Sequence, residues 1–246
     1  MTKGAPMKAG WTTGPLGELC SFLNRGIWPR YLDVGGICVL NQKCVREHRV
    51  SFDPSRRHDA ATKKVANDRL LQAGDVLVNS TGTGTLGRVA QLRDDPPEPT
   101  TVDSHVTIVR PMPKKFRPEF FGYMMVVIEE AIKKAGEGCG GQTELARATL
   151  AEKFLLSYPE SLGEQERIVC ILDDAFERIA TAKAHAEKNL QNAPLYSKST
   201  STPSSPHTAN PGPRSHSSHF VPFSWTAPTR LPNTNPTAYR RFARVT

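Results

Sequence analysis

Along the chain, short apolar runs rich in β-branched residues alternate with clusters of Gly, Pro and Asp. Such runs occur at Gly36 to Asn41, Asp75 to Asn79, Arg88 to Leu92 and His105 to Arg110. Their length and the turn residues that bound them predict strands. Between Pro118 and Ala135 the period changes, because Phe121, Met124, Met125, Ile128 and Ile132 recur at helical spacing and Pro118 suits a first turn. An amphipathic helix is predicted there. After a Gly-rich turn at 137–142 come a helical stretch from Glu144 to Glu152 and an apolar run from Phe154 to Tyr158, closed by Pro159. Mixed strands and helices within one stretch of chain indicate an α+β domain over residues 1–160.

Residues 164–193 contain no Pro or Gly, and Ile168, Leu172, Ala175, Ile179, Ala182, Ala186, Asn189 and Ala193 step alternately by four and three. That is the seam of a coiled coil, and a helix over 161–196 is predicted. Its uninterrupted 164–193 stretch would run about 45 Å at about 1.5 Å per residue, long for a domain of this size to cover. A partner helix is one reading and packing on its own domain is the other. The small alanines would let a partner approach closely, and Asn189 is a polar seam residue of the kind that fixes register. Residues 197–246 are rich in Ser, Thr and Pro, lack any acid and show no period, a composition that predicts a disordered tail.

Charge changes less than it first suggests. The formal charge of +8 divides unevenly, since residues 194–246 hold six Lys or Arg and no acid, whereas residues 1–193 hold 26 against 24. Nucleic-acid binding must therefore be argued from local clusters rather than from net charge. No run approaches the length of a membrane span and the first residues lack a signal-peptide core, so a cytoplasmic protein with no membrane association is expected. Cys20, Cys38, Cys44, Cys139 and Cys170 include no C-x-x-C pair and no His at ligand spacing. Neither a disulfide framework nor a metal site is expected.

Gly82 to Gly87 spell G-x-G-x-x-G directly after the strand ending at Asn79, the pattern of a dinucleotide-binding turn. The next twelve residues, RVAQLRDDPPEP, are β-prone and broken by proline, so no helix is available to receive a pyrophosphate. A Gly- and Thr-rich turn between two strands is the expectation, with backbone N–H groups and hydroxyls able to approach a phosphate or base edge. Ser104 and His105, on a presumed strand, would point to opposite faces and could not form a Ser–His pair. There is no Walker sequence, no H-E-x-x-H, no Asn-Pro-Pro-aromatic run of a base-amino methyltransferase, and no nuclease pattern of Asp followed by Glu-x-Lys. The chain is not expected to be an enzyme.

Between Asn41 and Arg69, Lys43, Arg46, Arg49, Arg56, Arg57, Lys63, Lys64 and Arg69 face Glu47, Asp53, Asp59 and Asp68. That polar connection could neutralise phosphates and read base edges, or simply be solvated. Residues whose chemistry suits DNA contact are Gln42, Lys43, Arg46, Arg56, Arg57, Asn79, Thr81, Thr83, Arg88, Ser104 and His105. Gln and Asn can fork to adenine and Arg to guanine, while Lys and Thr more often hold phosphates.

Several blocks of the chain are familiar. They are Trp11-x4-Leu16-Gly17-Glu18, Arg25-Gly26-Ile27 with Tyr31, VLNQKCVR at 39–46, GDVLVNSTGTGTLGRVA at 74–90, VDSHVTIVRP at 102–111, GQTEL at 141–145 and EQERIVCILDDAFERI at 164–179. Over about 11–196 the sequence resembles a specificity subunit of a type I restriction-modification system. The resemblance implies a mixed-strand target recognition domain that reads one half of a bipartite site in double-stranded DNA, followed by a spacer helix that pairs antiparallel with a second one. It implies a non-catalytic subunit that directs modification (methyltransferase) subunits and a restriction subunit. S-adenosylmethionine, ATP and Mg2+ are expected on those partners and no cofactor on this chain. By their own chemistry Gln142 and Thr143 are expected to brace the recognition domain or an interface, with DNA contact as the alternative. One recognition domain and one spacer helix are half of the family's usual pattern, so a naturally shortened or frameshifted subunit is expected. It would either form a homodimer through the long helix or be a nonfunctional remnant. From a different class, a coiled-coil interaction module that binds no DNA is the alternative.

Overall fold

In the computed structural model, residues 9–136 and 144–197 are described, with side chains as far as Asn192. The chain begins with β1 (Trp11–Pro15) and β2 (Cys20–Arg25), joined by a 3-10 turn at Leu16–Leu19. Then come β3 (Tyr31–Leu32), β4 (Ile37–Leu40), β5 (Val45–Arg46), β6 (Arg49–Val50) and β7 (Arg56–His58). β8 (Val76–Asn79), β9 (Val89–Gln91), β10 (Thr100–Val102) and β11 (Val106–Pro111) complete the strand-rich half. The remaining elements are α1 (Pro118–Val127), α2 (Glu129–Gly136), α3 (Arg147–Glu152), β12 (Leu155–Pro159) and α4 (Leu162–Ser197).

The continuous apolar runs have a structural cause. β2, β11, β8 and β9 form an antiparallel sheet in that order, and it is covered on both faces. Val76, Val78, Val89 and Val109 join Leu16, Phe121, Met125, Leu150 and Phe154 in one core. Leu77, Ala90, Val106 and Ile108 join Cys38, Leu40, Cys44, Val45 and Val102 in the other. A strand buried on both faces cannot alternate apolar with polar, and each fully buried aliphatic side chain contributes about 1.5–3 kcal/mol. The second sheet, in the order β10-β4-β7-β3, is mixed, with β10 parallel to β4 and β7 antiparallel to both β3 and β4. A partly buried ion pair ties β11 to the residue that precedes β8. Arg110 donates to both oxygens of Asp75 at 2.7 and 2.8 Å and to the Leu70 carbonyl at 2.8 Å.

Three expectations need correction. The stretch 41–69 is not a plain polar connection, because it supplies β5, β6 and β7; strands of two or three residues carry no legible alternation. The helix expected over 118–135 is broken at Ile128, which sits at φ −91° and ψ 2° after two other β-branched residues. The break lets Glu129, at the start of α2, accept from the Val89 N–H at 2.9 Å. The strand expected from His105 begins at Val106, since Asp103 Oδ1 accepts from the His105 N–H at 2.9 Å and closes a turn.

α4 is bolted to the domain by Gln165, whose side chain is wholly buried. Its Oε1 accepts from Arg117 N at 2.8 Å, and its Nε2 donates to the carbonyls of Pro159 at 2.9 Å and Lys115 at 3.2 Å. Ile168 and Val169 pack on the first core, and Phe176 stacks on Tyr123 with ring centroids 5.7 Å apart. From Asp173 to Asn192 every residue of α4 is exposed. Ile168 is thus packed on the domain and Leu172 is half-buried, whereas Ala175, Ile179, Ala182, Ala186 and Asn189 form an open seam. Ala193 lies outside the described side chains, and the tail at 198–246, Gln142, Thr143 and Cys139 lie outside the described residues.

Candidate nucleic-acid interface

The site is built around one capped turn. Asn41, in extended conformation, accepts from Lys43 N at 2.8 Å through its side chain and donates to the Pro54 carbonyl at 2.7 Å. This fixes the turn Gln42–Cys44 against the segment leading into β7. Gln42 is then gripped from the Gly- and Thr-rich loop that joins β8 to β9. Its Nε2 donates to Thr81 Oγ1 at 2.7 Å and its Oε1 accepts from Thr85 Oγ1 at 3.2 Å. Beyond these two bonds the amide still has a second N–H and a second lone pair, the group types a fork to adenine uses.

Thr81 extends the network, with Oγ1 2.8 Å from His105 Nδ1. The Thr81 hydroxyl thus accepts from Gln42 and shares a hydrogen bond with the His105 ring. On the other side, β3 and β7 pair with Tyr31 opposite His58, and the Arg56 guanidinium carbon lies 3.4 Å from the centroid of the Tyr31 ring. Stacking restrains the guanidinium, on a side chain that is otherwise exposed. Tyr31, Asn41, Gln42, Lys43, Pro54, Arg56, Asp103 and His105 surround an open cavity of about 480 Å³. Burial raises the Asp103 carboxyl above its ordinary value, opposed by the backbone N–H of His105 and by the His105 ring. The cavity therefore presents two cations, an oriented amide and an imidazole. Among the described residues no cluster could hold a metal ion, and no helix is long and apolar enough to cross a membrane.

A protein-family model described as the type I restriction modification DNA specificity domain matches residues 8–191. The chain belongs to this family. Its fold agrees with solved members of such systems. A chain reported for complex assembly and conformational transition of the type I R-M system superposes with a TM-score of 0.61 at 20% identity, covering 79% of this chain and 46% of that one. The HsdS subunit from Thermoanaerobacter tengcongensis gives 0.56 at 19% identity, covering 74% and 41%. The specificity-domain chain thus spans less than half the length of either. No curated protein matches it.

Of the DNA-contact residues expected in this specificity domain, the structure gathers Gln42, Lys43, Arg56, Thr81 and His105 at one place. Thr83 is exposed on the adjoining loop, where Arg88 donates to the Gly84 carbonyl at 2.9 Å and stiffens the same turn. Arg46 is exposed on β5, outside the cavity lining. Three others have different surroundings. Arg57 points away from Arg56 and makes a two-pronged pair with Glu98 at 2.6 and 2.9 Å, while donating to the Gly35 and Gly36 carbonyls. That hydrogen bonding holds the Glu98 carboxyl below its ordinary value. Asn79 is fully buried and donates to the Gln42 carbonyl at 3.1 Å, and Ser104 is buried in its turn. Of these three, Asn79 braces the Gln42 backbone, Arg57 ties β7 to Glu98 and the Gly35–Gly36 turn, and Ser104 is simply buried.

Two aromatic residues at the site were not among the expected DNA contacts. Tyr31 carries Arg56, and Trp28 is 73% exposed beside His105. A large aromatic residue in a polar, turn-rich stretch was the available signal.

Proposed function

We propose that this chain is a sequence-reading, non-catalytic subunit of a type I restriction-modification complex, and that the cavity around Gln42 and Arg56 meets base edges in double-stranded DNA. The observation that carries the reading is the Gln42 amide. It is oriented by Thr81 and Thr85 at 2.7 and 3.2 Å yet still has a second N–H and a second lone pair, with the Tyr31-stacked Arg56 at the same cavity. Gln42 suits adenine and Arg56 suits guanine, while Lys43 and the exposed Thr83 suit phosphates. Asn79 acts as a positioning residue through the Gln42 carbonyl. Chemistry is left to partners: modification subunits using S-adenosylmethionine, and a restriction subunit using ATP and Mg2+. Two copies joined through α4 would bring two recognition domains to one DNA, which makes an interrupted palindrome the expected site.

The test is selection of a preferred sequence from a randomised duplex pool by the full chain. Gln42→Ala or Arg56→Ala should each cost about 1–3 kcal/mol and relax one position of the selected site. Lys43→Ala should instead weaken all sequences alike and lower the salt slope by about one. If the chain enriches no sequence, or if both specificity variants keep the parental preference, the reading fails.

A further inference from the structure

Within the proposed DNA-reading site, and resting on that reading, one residue stands apart in its exposure. The backbone around Trp28 is held at almost every residue. Ile27 N donates to the Val102 carbonyl at 2.9 Å, and Arg69 Nη1 donates to the Gly26 carbonyl at 2.9 Å. Lys63 Nζ donates to the carbonyl of Trp28 itself at 2.7 Å. Arg30 N donates to Nδ1 of the fully buried His58 at 2.8 Å, and Asp59 N donates to the Arg30 carbonyl at 2.9 Å. Gly26 permits this closeness, because a Cβ there would overlap the Val102 carbonyl oxygen.

The indole carried on this fixed backbone is nevertheless 73% exposed. It meets the His105 ring edge-on, with centroids 6.4 Å apart, and His105 leads through Thr81 to the Gln42 amide. A floppy surface aromatic costs little to leave in water, but here the conformational freedom of the segment has already been given up without burying the ring. An apolar plane presented rigidly beside base-reading groups and flanked by the exposed cations Arg30 and Lys63 matches what a nucleic-acid base offers, a flat π-face between phosphates.

We propose that Trp28 is a wedge, whose indole stacks on a base of the bound duplex and opens one base step, so that it contributes to specificity through the deformability of that step. Pre-anchoring would remove the ordering cost at binding. Side chains that enter base steps in this way kink the duplex by about 20–90°.

The probe is the duplex that the full chain selects from a randomised pool. The chain has three tryptophans, Trp11, Trp28 and Trp225, so the full chain with Trp11→Phe and Trp225→Phe reports on Trp28 alone. Saturation with the selected duplex should strongly quench its emission. In the otherwise unaltered chain, Trp28→Ala should weaken binding to that duplex by about 5- to 150-fold and abolish the kink measured by energy transfer between the duplex ends. Trp28→Phe should retain most of both. Binding to the selected duplex with unchanged Trp28 emission, or an equal kink with Trp28→Ala, overturns the wedge and leaves the base-reading function standing. Failure of the unaltered chain to select any duplex overturns both.

Discussion

A methyl group at position 82 collides with the way Gln42 is held. Gly82 has φ +100°, and a Cβ there would press on Thr85 Oγ1 and lie 2.7 Å from Gln42 Oε1. Gly82→Ala therefore combines a strained backbone, worth about 1–3 kcal/mol, with displacement of the two groups that orient the amide. The expected outcome is a lower melting temperature together with a relaxed base preference at the Gln42 position and an unchanged salt slope, read by calorimetry and by duplex selection. A fully retained preference would show that the loop does not orient Gln42. At this scale the residue types were legible and their roles were not. Arg56 and Arg57 are neighbours of like charge in the sequence, yet alternation on β7 sends one to the Tyr31 ring and the other to Glu98. Nothing local distinguishes them, because β3 reaches β7 only through a pairing that joins Tyr31 to His58.

Elements with long, strong patterns were legible and the short ones were not. The runs at β4, β8, β9 and most of β11 stood out because burial on both faces makes them continuously apolar, and α4 because nothing interrupts its seam. β1, β2, β3, β5, β6, β7 and β10 did not, since they are short, polar or set by long-range partners such as the pairing of Trp11 with Pro159. The junction between the domain and α4 was also missed, as a buried glutamine among charged residues looks like a solvated helix start. Gln165 makes three hydrogen bonds across that junction at 2.8, 2.9 and 3.2 Å. Gln165→Ala would leave the Pro159 carbonyl without that partner in a buried place, and the Arg117 N–H and Lys115 carbonyl without theirs in partly buried ones. Each unsatisfied group costs about 1–3 kcal/mol. A loss of at least that size in urea unfolding is expected, with proteolytic cleavage appearing first at residues 159–166. Unaltered stability would mean that Ile168, Val169 and the Tyr123–Phe176 stack suffice to hold the helix.

For the molecule as a whole, the outstanding question is what covers α4. Its first turns are used by the domain, but Ile171, Ile179 and Leu190 are 54%, 61% and 74% exposed, and Ala175, Ala182 and Ala186 lie between them on the open seam. A helix of 36 residues, about 54 Å at 1.5 Å per residue, gains little from propensity alone and normally depends on a packed apolar face. In the proposed homodimer, that face meets the same face of a second copy, antiparallel, so that small residues allow close approach and Asn189 disfavours slipped registers. Sedimentation equilibrium of the full chain should then show a dimer at micromolar concentration, and Ile179→Glu should return it to a monomer by placing a charge in the seam of both helices. Because each copy contributes one recognition domain, the same substitution should reduce a selected interrupted palindrome to a single half-site bound more weakly. A monomeric parent chain at these concentrations would overturn the homodimer, and the seam would then have to be covered by another protein of the complex.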